Sequence, residues 1–175
     1  MGISMEDFNE FFEDENQSEN DQDIGDVDQN DFSAAVVSAN DWTTETLINQ
    51  INKGNIQLNP DFQRRDAWDK KRKSKFIESL ILGMPIPQVV LAESKDRRGS
   101  YIVLDGKQRL LSLRQFAAET GDAVFEQLKL TGLDIRSDLK GKSLKNLREE
   151  LALFDDLSAF ENQPIRTVVI KNWPN

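Results

Sequence analysis

The chain has 175 residues, 31 acidic and 22 basic side chains, a net charge of −9, and neither cysteine nor histidine. That length suits one ordinary domain with an appendage. The two missing residue types exclude disulfides, thiolate metal sites, Ser–His–Asp triads, His–metal nuclease centres and any imidazole base.

No apolar run approaches the length of a bilayer span, and the N-terminus is acidic, unlike a secretory signal. A soluble, cytoplasmic chain with no membrane partner is therefore expected. The charge is unevenly placed. Residues 1–41 hold thirteen of the acidic residues and no Lys or Arg, which leaves 18 acids against 22 bases, a net of +4, for residues 42–175. Electrostatics must be argued for the two parts separately.

Residues 1–32 are polar and poor in branched apolar side chains, and they cannot bury enough surface to offset ordering entropy. They read as a disordered acidic tail before a domain spanning 33–175. Phe8, Phe11 and Phe12 interrupt the tail at helical spacing among acids. Three readings stay open for them: a docking helix, a frayed segment without a partner, or part of a tail that mimics nucleic acid and covers the domain's own basic surface.

Ala34 to Val37 suggests a short strand. Thr43 is placed to cap a helix over 44–53, with Leu47, Ile48 and Ile51 on one face and Gly54 as its stop. Ile56 to Leu58 reads as extended. Asp69 can cap a helix from Lys70 to Leu82, whose apolar residues Phe76, Ile77, Leu80 and Ile81 follow helical spacing, and Gly83 ends it. Pro85 and Pro87 keep the connection extended into a strand over 88–93.

After a polar loop over 94–100, Tyr101 to Asp105 predicts a strand, and Lys107 to Glu119 a helix burying Leu110, Leu113, Phe116 and Ala117. Residues 122–142 look irregular, with a short strand near Leu128 to Leu130. A helix near Leu144 to Phe154 and a strand from Arg166 to Ile170 follow. Trp42 and Trp68 read as core anchors. The sum is an α+β (mixed α/β) domain, one small sheet packed with helices.

The most informative stretch is Asp105-Gly106-Lys107-Gln108-Arg109. A strand, a glycine turn and a helix aim backbone N–H groups and a positive dipole end at an anion. Gly106 permits a positive φ or a close approach. Arg109 falls in the first helical turn, where a guanidinium can join those N–H groups on phosphate. Asp105 could bind a metal ion or orient water; alternatively it caps the helix.

Arg64, Arg65, Lys70, Lys71, Arg72, Lys73 and Lys75, offset by Asp66 and Asp69, hold a net +5 in twelve residues. Cations at a helix N-terminus oppose the dipole, which suggests use on polyphosphate or a nucleic-acid backbone; a solvated helix face is the alternative. Gln63 and Arg64 follow Pro60, so Arg64 could pair with phosphate while Gln63 bonds a base or water. Otherwise Phe62 is core and Arg64 meets a carboxylate. Gly141-Lys142-Ser143 is not a phosphate loop, because Arg136 stands where that loop needs glycine.

Asn59-Pro60-Asp61-Phe62-Gln63-Arg64-Arg65-Asp66-Ala67-Trp68, the basic helix, the Gly-Met-Pro-Ile-Pro turn at 83–87 and the Asp105–Arg109 run together resemble the N-terminal domain of GmrSD-type modification-dependent restriction enzymes. That group lies within the ParB/sulfiredoxin-like superfamily, and the resemblance covers roughly residues 42–175. The family motif is Asp-Gly-Gln-Gln-Arg; Lys107 replaces its first Gln and adds a charge.

The resemblance implies a ParB-like nucleotide-binding domain in which both motifs line one pocket. A nucleoside triphosphate would bind at Gly106, Lys107, Arg109 and Arg64, with Asp105 holding Mg²⁺ or orienting water and Gln63 and Gln108 placing it. Phosphoryl transfer needs mainly positioning and charge neutralisation, so a site without histidine suffices. Arg65, Lys70, Lys71, Arg72, Lys73 and Lys75 would meet DNA. The family's histidine-dependent nuclease half has no counterpart here, so cleavage would fall to another region, a nuclease subunit or a full-length relative. Restriction or phage defence, or a phage-borne antagonist of it, is the implied setting. A DNA-binding or regulatory module without catalysis is the alternative, and direct nuclease action is a third reading.

Overall fold

The hydroxyl of Thr43 accepts a hydrogen bond from the N–H of Thr46 at 3.2 Å, and this cap is where the first strand becomes the first helix. The computed structural model describes residues 35–59 and 68–173. The acidic tail with its phenylalanines, and Gln63, Arg64 and Arg65, lie outside the described residues.

Strand β1 (Val36–Thr43) leads into α1 (Thr44–Asn52), whose Leu47, Ile48 and Ile51 are buried as their spacing predicts. β2 (Ile56–Gln57) follows. Asp69 caps α2 (Lys70–Ile81) by accepting from the N–H of Arg72 at 2.7 Å, and Phe76, Ile77, Leu80 and Ile81 form its buried face. β3 (Val89–Glu93) and β4 (Tyr101–Asp105) form a hairpin, and α3 (Lys107–Phe116) starts one residue after β4. α4 (Leu144–Glu149), α5 (Phe154–Asn162) and β5 (Pro164–Lys171) complete the chain order.

The five strands form one mixed sheet in the order β1-β5-β3-β4-β2. β1 pairs antiparallel with β5, β5 parallel with β3, β3 antiparallel with β4, and β4 parallel with β2. A bulge lies between Val90 and Leu91, next to the partner of Asp105. Helices α1, α2, α3 and α5 pack around a core of Leu47, Phe76, Leu80, Val89, Leu110 and Phe160, with Phe116 edge-on to Phe160 at 5.3 Å. The domain is therefore α+β, as the order of elements predicts. Trp68 is buried against Phe76, and Trp42 packs edge-on to Tyr101.

Four expectations need correction. β1 runs on to Thr43 because all eight of its residues pair with β5, a tertiary ladder that its polar sequence does not announce. Leu128 and Leu130 are buried without forming a strand: the Leu128 N–H donates to Gln115 O and the Leu130 N–H to Lys142 O. α3 ends at Phe116 rather than Glu119, leaving Ala117 only half-buried. The helix expected over 144–154 breaks at Glu150, which is extended at φ −92° and ψ 111°, and a separate α5 begins at Phe154.

Helix α2 also holds the irregular segment in place. Glu78 is 2% exposed, and its carboxylate accepts the backbone N–H groups of Asp134, Ile135 and Arg136 at 3.3, 2.9 and 2.6 Å. Ser74, also buried, donates to Lys70 O and accepts from the Thr131 N–H. Arg136 then bridges Asp138 and Asp156, and these hydrogen bonds, Asp156 first, raise its guanidinium further above its already high value. A three-donor cradle around a buried carboxylate is how a loop without regular structure satisfies its backbone.

Candidate functional site

Gly106 is the N-cap of α3 and sits at φ +89°, a left-handed conformation that L side chains rarely adopt. A Cβ there would lie 3.1 Å from both Arg109 Nη2 and Val89 Cγ2. The turn thus needs glycine for its backbone and for the side chains that close over it. The first helical hydrogen bond joins Leu110 N–H to Gly106 O at 3.0 Å. The N–H groups of residues 107–109 consequently have no acceptor within the helix, and Gly106 offers no side-chain cap.

Asp105 does not cap this helix. Its Oδ2 accepts from Arg109 Nη2 at 3.1 Å, and the carboxylate remains 40% exposed. Arg109 is 2% exposed, folded back against Gly106 and Val89. Its guanidinium therefore holds the Asp105 carboxylate and the turn from behind. Gln108 is 6% exposed, yet its carboxamide makes no hydrogen bond among the described residues, while its backbone carbonyl accepts the Ser112 hydroxyl. A buried amide carries two donors and an acceptor that the fold leaves for water or a ligand.

Helical spacing places Gln108 on the side of both neighbouring elements. Three residues on, Leu111 packs with Leu58, the continuation of β2. Seven residues on, Gln115 accepts a hydrogen bond from Lys73 of α2 at 2.9 Å. β2 runs parallel to β4, so the chain leaves it toward the Asp105 end of the sheet and re-enters at Trp68, just before α2. Asp105, Gly106, Lys107, Gln108 and Arg109 thus lie at the end of β4 toward which β2 runs, while Gln63 and Arg64 lie outside the described residues. Lys107 is half-buried at the first position of α3.

The basic helix is placed differently from a bare cationic face. Lys70 pairs with Glu126 at 2.6 Å, Lys75 with Asp134 at 2.6 Å, and Lys73 with Gln115. The Arg72 guanidinium lies 5.0 Å from the centre of the Trp68 ring, a cation–π contact. The stem of Lys71 packs on Gly132, where even a Cβ would come within 2.6 Å. The pairing with Lys70 holds the Glu126 carboxyl below its ordinary value.

A second basic region went unnoticed in the sequence because Lys171 lies far along the chain from the short polar loop that carries Lys95 and Arg98. Glu93, Ser94, Lys95, Arg98, Lys171 and Asn172 line a cleft of about 380 Å³ at the other end of the sheet. Among the described residues no group of three or more His, Cys, Asp or Glu could hold a metal ion, and no helix is long and apolar enough to cross a membrane.

The fold and the turn define an α+β domain with an anion-ready helix start at one end of a mixed sheet. The sequence profile of the GmrSD restriction endonuclease N-terminal domain matches residues 44–173. The chain belongs to that family, which sets it in a restriction or phage-defence context. Comparisons with curated proteins and with solved structures give no match.

Proposed function

We propose that the chain binds a nucleoside triphosphate as its Mg²⁺ complex at the 105–109 turn and hydrolyses it in the service of a DNA restriction system. The observation that carries this reading is Gln108: a residue nine-tenths buried, whose carboxamide has no partner among the described residues, at the start of a helix whose cap is a left-handed glycine. The phosphate oxygens would meet the first-turn N–H groups and the Gln108 amide, where the helix dipole adds attraction.

Arg109, buried behind the turn, acts as a positioning residue that holds one oxygen of Asp105 and leaves the other toward solvent. That second oxygen would orient the attacking water. Mg²⁺ fits here as an ion carried in by the nucleotide, since it is commonly held by one or two carboxylates together with substrate phosphates and water. When bound it would neutralise charge on the transferring phosphoryl group. Gln63 and Arg64 would approach from the segment between β2 and α2, and DNA and a nuclease domain or subunit would be the partners.

A second reading, a switch that binds nucleotide without turnover, is favoured by the single carboxylate that the described residues place at the turn. Phosphate release from each ribonucleoside triphosphate, with and without Mg²⁺, tests both. The native chain is expected to turn over in Mg²⁺, and Asp105→Asn to lower the rate by about a hundredfold or more while binding persists. Binding without turnover in the native chain would select the switch. Loss of neither on Asp105→Asn or Gln108→Leu would remove the site from consideration.

A further inference from the structure

We infer that the cleft between the β3–β4 loop and the end of β5 is a binding surface for the phosphodiester backbone of DNA, separate from the turn at Asp105. Lys95, Arg98 and Lys171 line it, and among the described residues none of the three side chains makes an ion pair or hydrogen bond. Of the α2 cations, Lys70, Arg72, Lys73 and Lys75 would have to leave a partner before meeting a phosphate; these three would not.

The loop that presents them is fixed by its own backbone. The Ser94 N–H donates to Ser100 O at 2.8 Å, the Ser100 N–H to Arg97 O at 3.0 Å, and the Gly99 N–H to the Glu93 carboxylate at 2.9 Å. Ser100 is buried and accepts from the Gln57 amide. The register puts Ala92 beside Ile170, so Glu93 and Lys171 end neighbouring parallel strands and Lys171 faces the loop across the cleft.

Glu93 is the one acid in the lining, and it is turned to the Gly99 N–H, which leaves a net of two positive charges among the lining residues. Outside the cleft, the exposed Arg97 and Asp96 of the same loop offset one another. Cations strung along a loop and a strand end suit an extended polyanion better than one compact phosphate, which draws convergent donors. The cleft lies at the Tyr101 end of β4 and the glycine turn at the Asp105 end, roughly 13 Å apart by strand rise. One ligand can therefore occupy each.

The restriction context selects DNA as the probe, but the readout does not depend on nucleotide turnover. Fluorescence anisotropy with a short DNA duplex and the full chain tests the inference over a range of salt concentrations. The native chain is expected to bind. Combining Lys95→Gln, Arg98→Gln and Lys171→Gln should weaken binding at least about tenfold and flatten the log–log salt slope by roughly 0.9 for each cation that meets a phosphate.

Combining Lys70→Gln and Lys75→Gln, at two lysines already paired with carboxylates, should change binding less than about threefold. Lys171→Gln alone gives a milder variant if the triple one folds poorly. Absence of DNA binding by the native chain, equal binding by the triple variant, or displacement of DNA by pyrophosphate at matched phosphate concentration would each overturn the assignment. Phosphate release by the triple variant should match the native chain, so failure of the nucleotide reading and failure of this one are told apart.

Discussion

The two basic regions of this domain differ in what surrounds each charge. Helix α2 carries five cations in six residues, and the structure gives Lys70, Arg72, Lys73 and Lys75 a carboxylate, an aromatic ring or an amide. The cleft joins Lys95 and Arg98 of one loop to the distant Lys171 and provides no such partner among the described residues. Charge density along a sequence measures how cations are strung together. Available charge is set by the fold, through which of them already have something to hold.

If α2 is chiefly a support, damage to its inward polar groups should appear as lost stability. Glu78→Ala is expected to have the largest effect, about 3–5 kcal/mol in denaturant unfolding, because three backbone donors of residues 134–136 lose their acceptor. A loss under about 1 kcal/mol would break the contrast. Gly106→Ala comes next, at about 1–3 kcal/mol, from a strained positive φ and a Cβ pressed on Arg109 and Val89; thermal melts would show it. Asp69→Ala should cost about 1 kcal/mol through loss of the α2 cap.

Acid titration examines internal pairing in a different way. Asp122 accepts from the Phe125 and Val124 N–H groups and pairs with Arg114, which lowers its pKa from 3.8 to about 2. A lowered folded-state value means its contribution is complete above the ordinary carboxylate range and is lost as pH falls through about 2. Asp122→Asn should therefore be less stable than the native chain at neutral pH, with the gap closing in that acid window. The smallest expected effect is on the cleft: neutralising Lys95, Arg98 and Lys171 together should move stability by no more than about 0.5 kcal/mol, since nothing in the described fold depends on them.

Local signals were readable wherever the cause was local. Thr43 and Asp69 cap the helices their positions announce, the apolar spacing of α1 and α2 matches their buried faces, and Tyr101–Asp105 is the strand that precedes the glycine turn. What escaped notice depended on distant partners. β1 owes its length to β5, the placing of Leu128 and Leu130 to isolated backbone bonds with Gln115, Lys142 and Gly141 rather than a strand ladder, and the start of α5 to an extended residue at Glu150.

The site shows the same division. Asp105, Gly106 and Gln108 stand out as a motif, but its spacing does not reveal that Arg109 turns inward to hold Asp105. Nor does it reveal that Gln108 is largely buried with no partner for its carboxamide among the described residues. The cleft cations had no motif at all, because only the loop turn and the β3–β5 register bring them together.

The most direct test of the account is calorimetric titration of the Mg²⁺ complex of a non-hydrolysable nucleoside triphosphate into the native chain, Gln108→Leu and the cleft triple variant. The account predicts saturable binding to the native chain, at least about tenfold weaker binding to Gln108→Leu, and unchanged binding to the cleft variant. Undiminished binding to Gln108→Leu would contradict it, and binding lost only in the cleft variant would contradict it and place the nucleotide at the other end of the sheet.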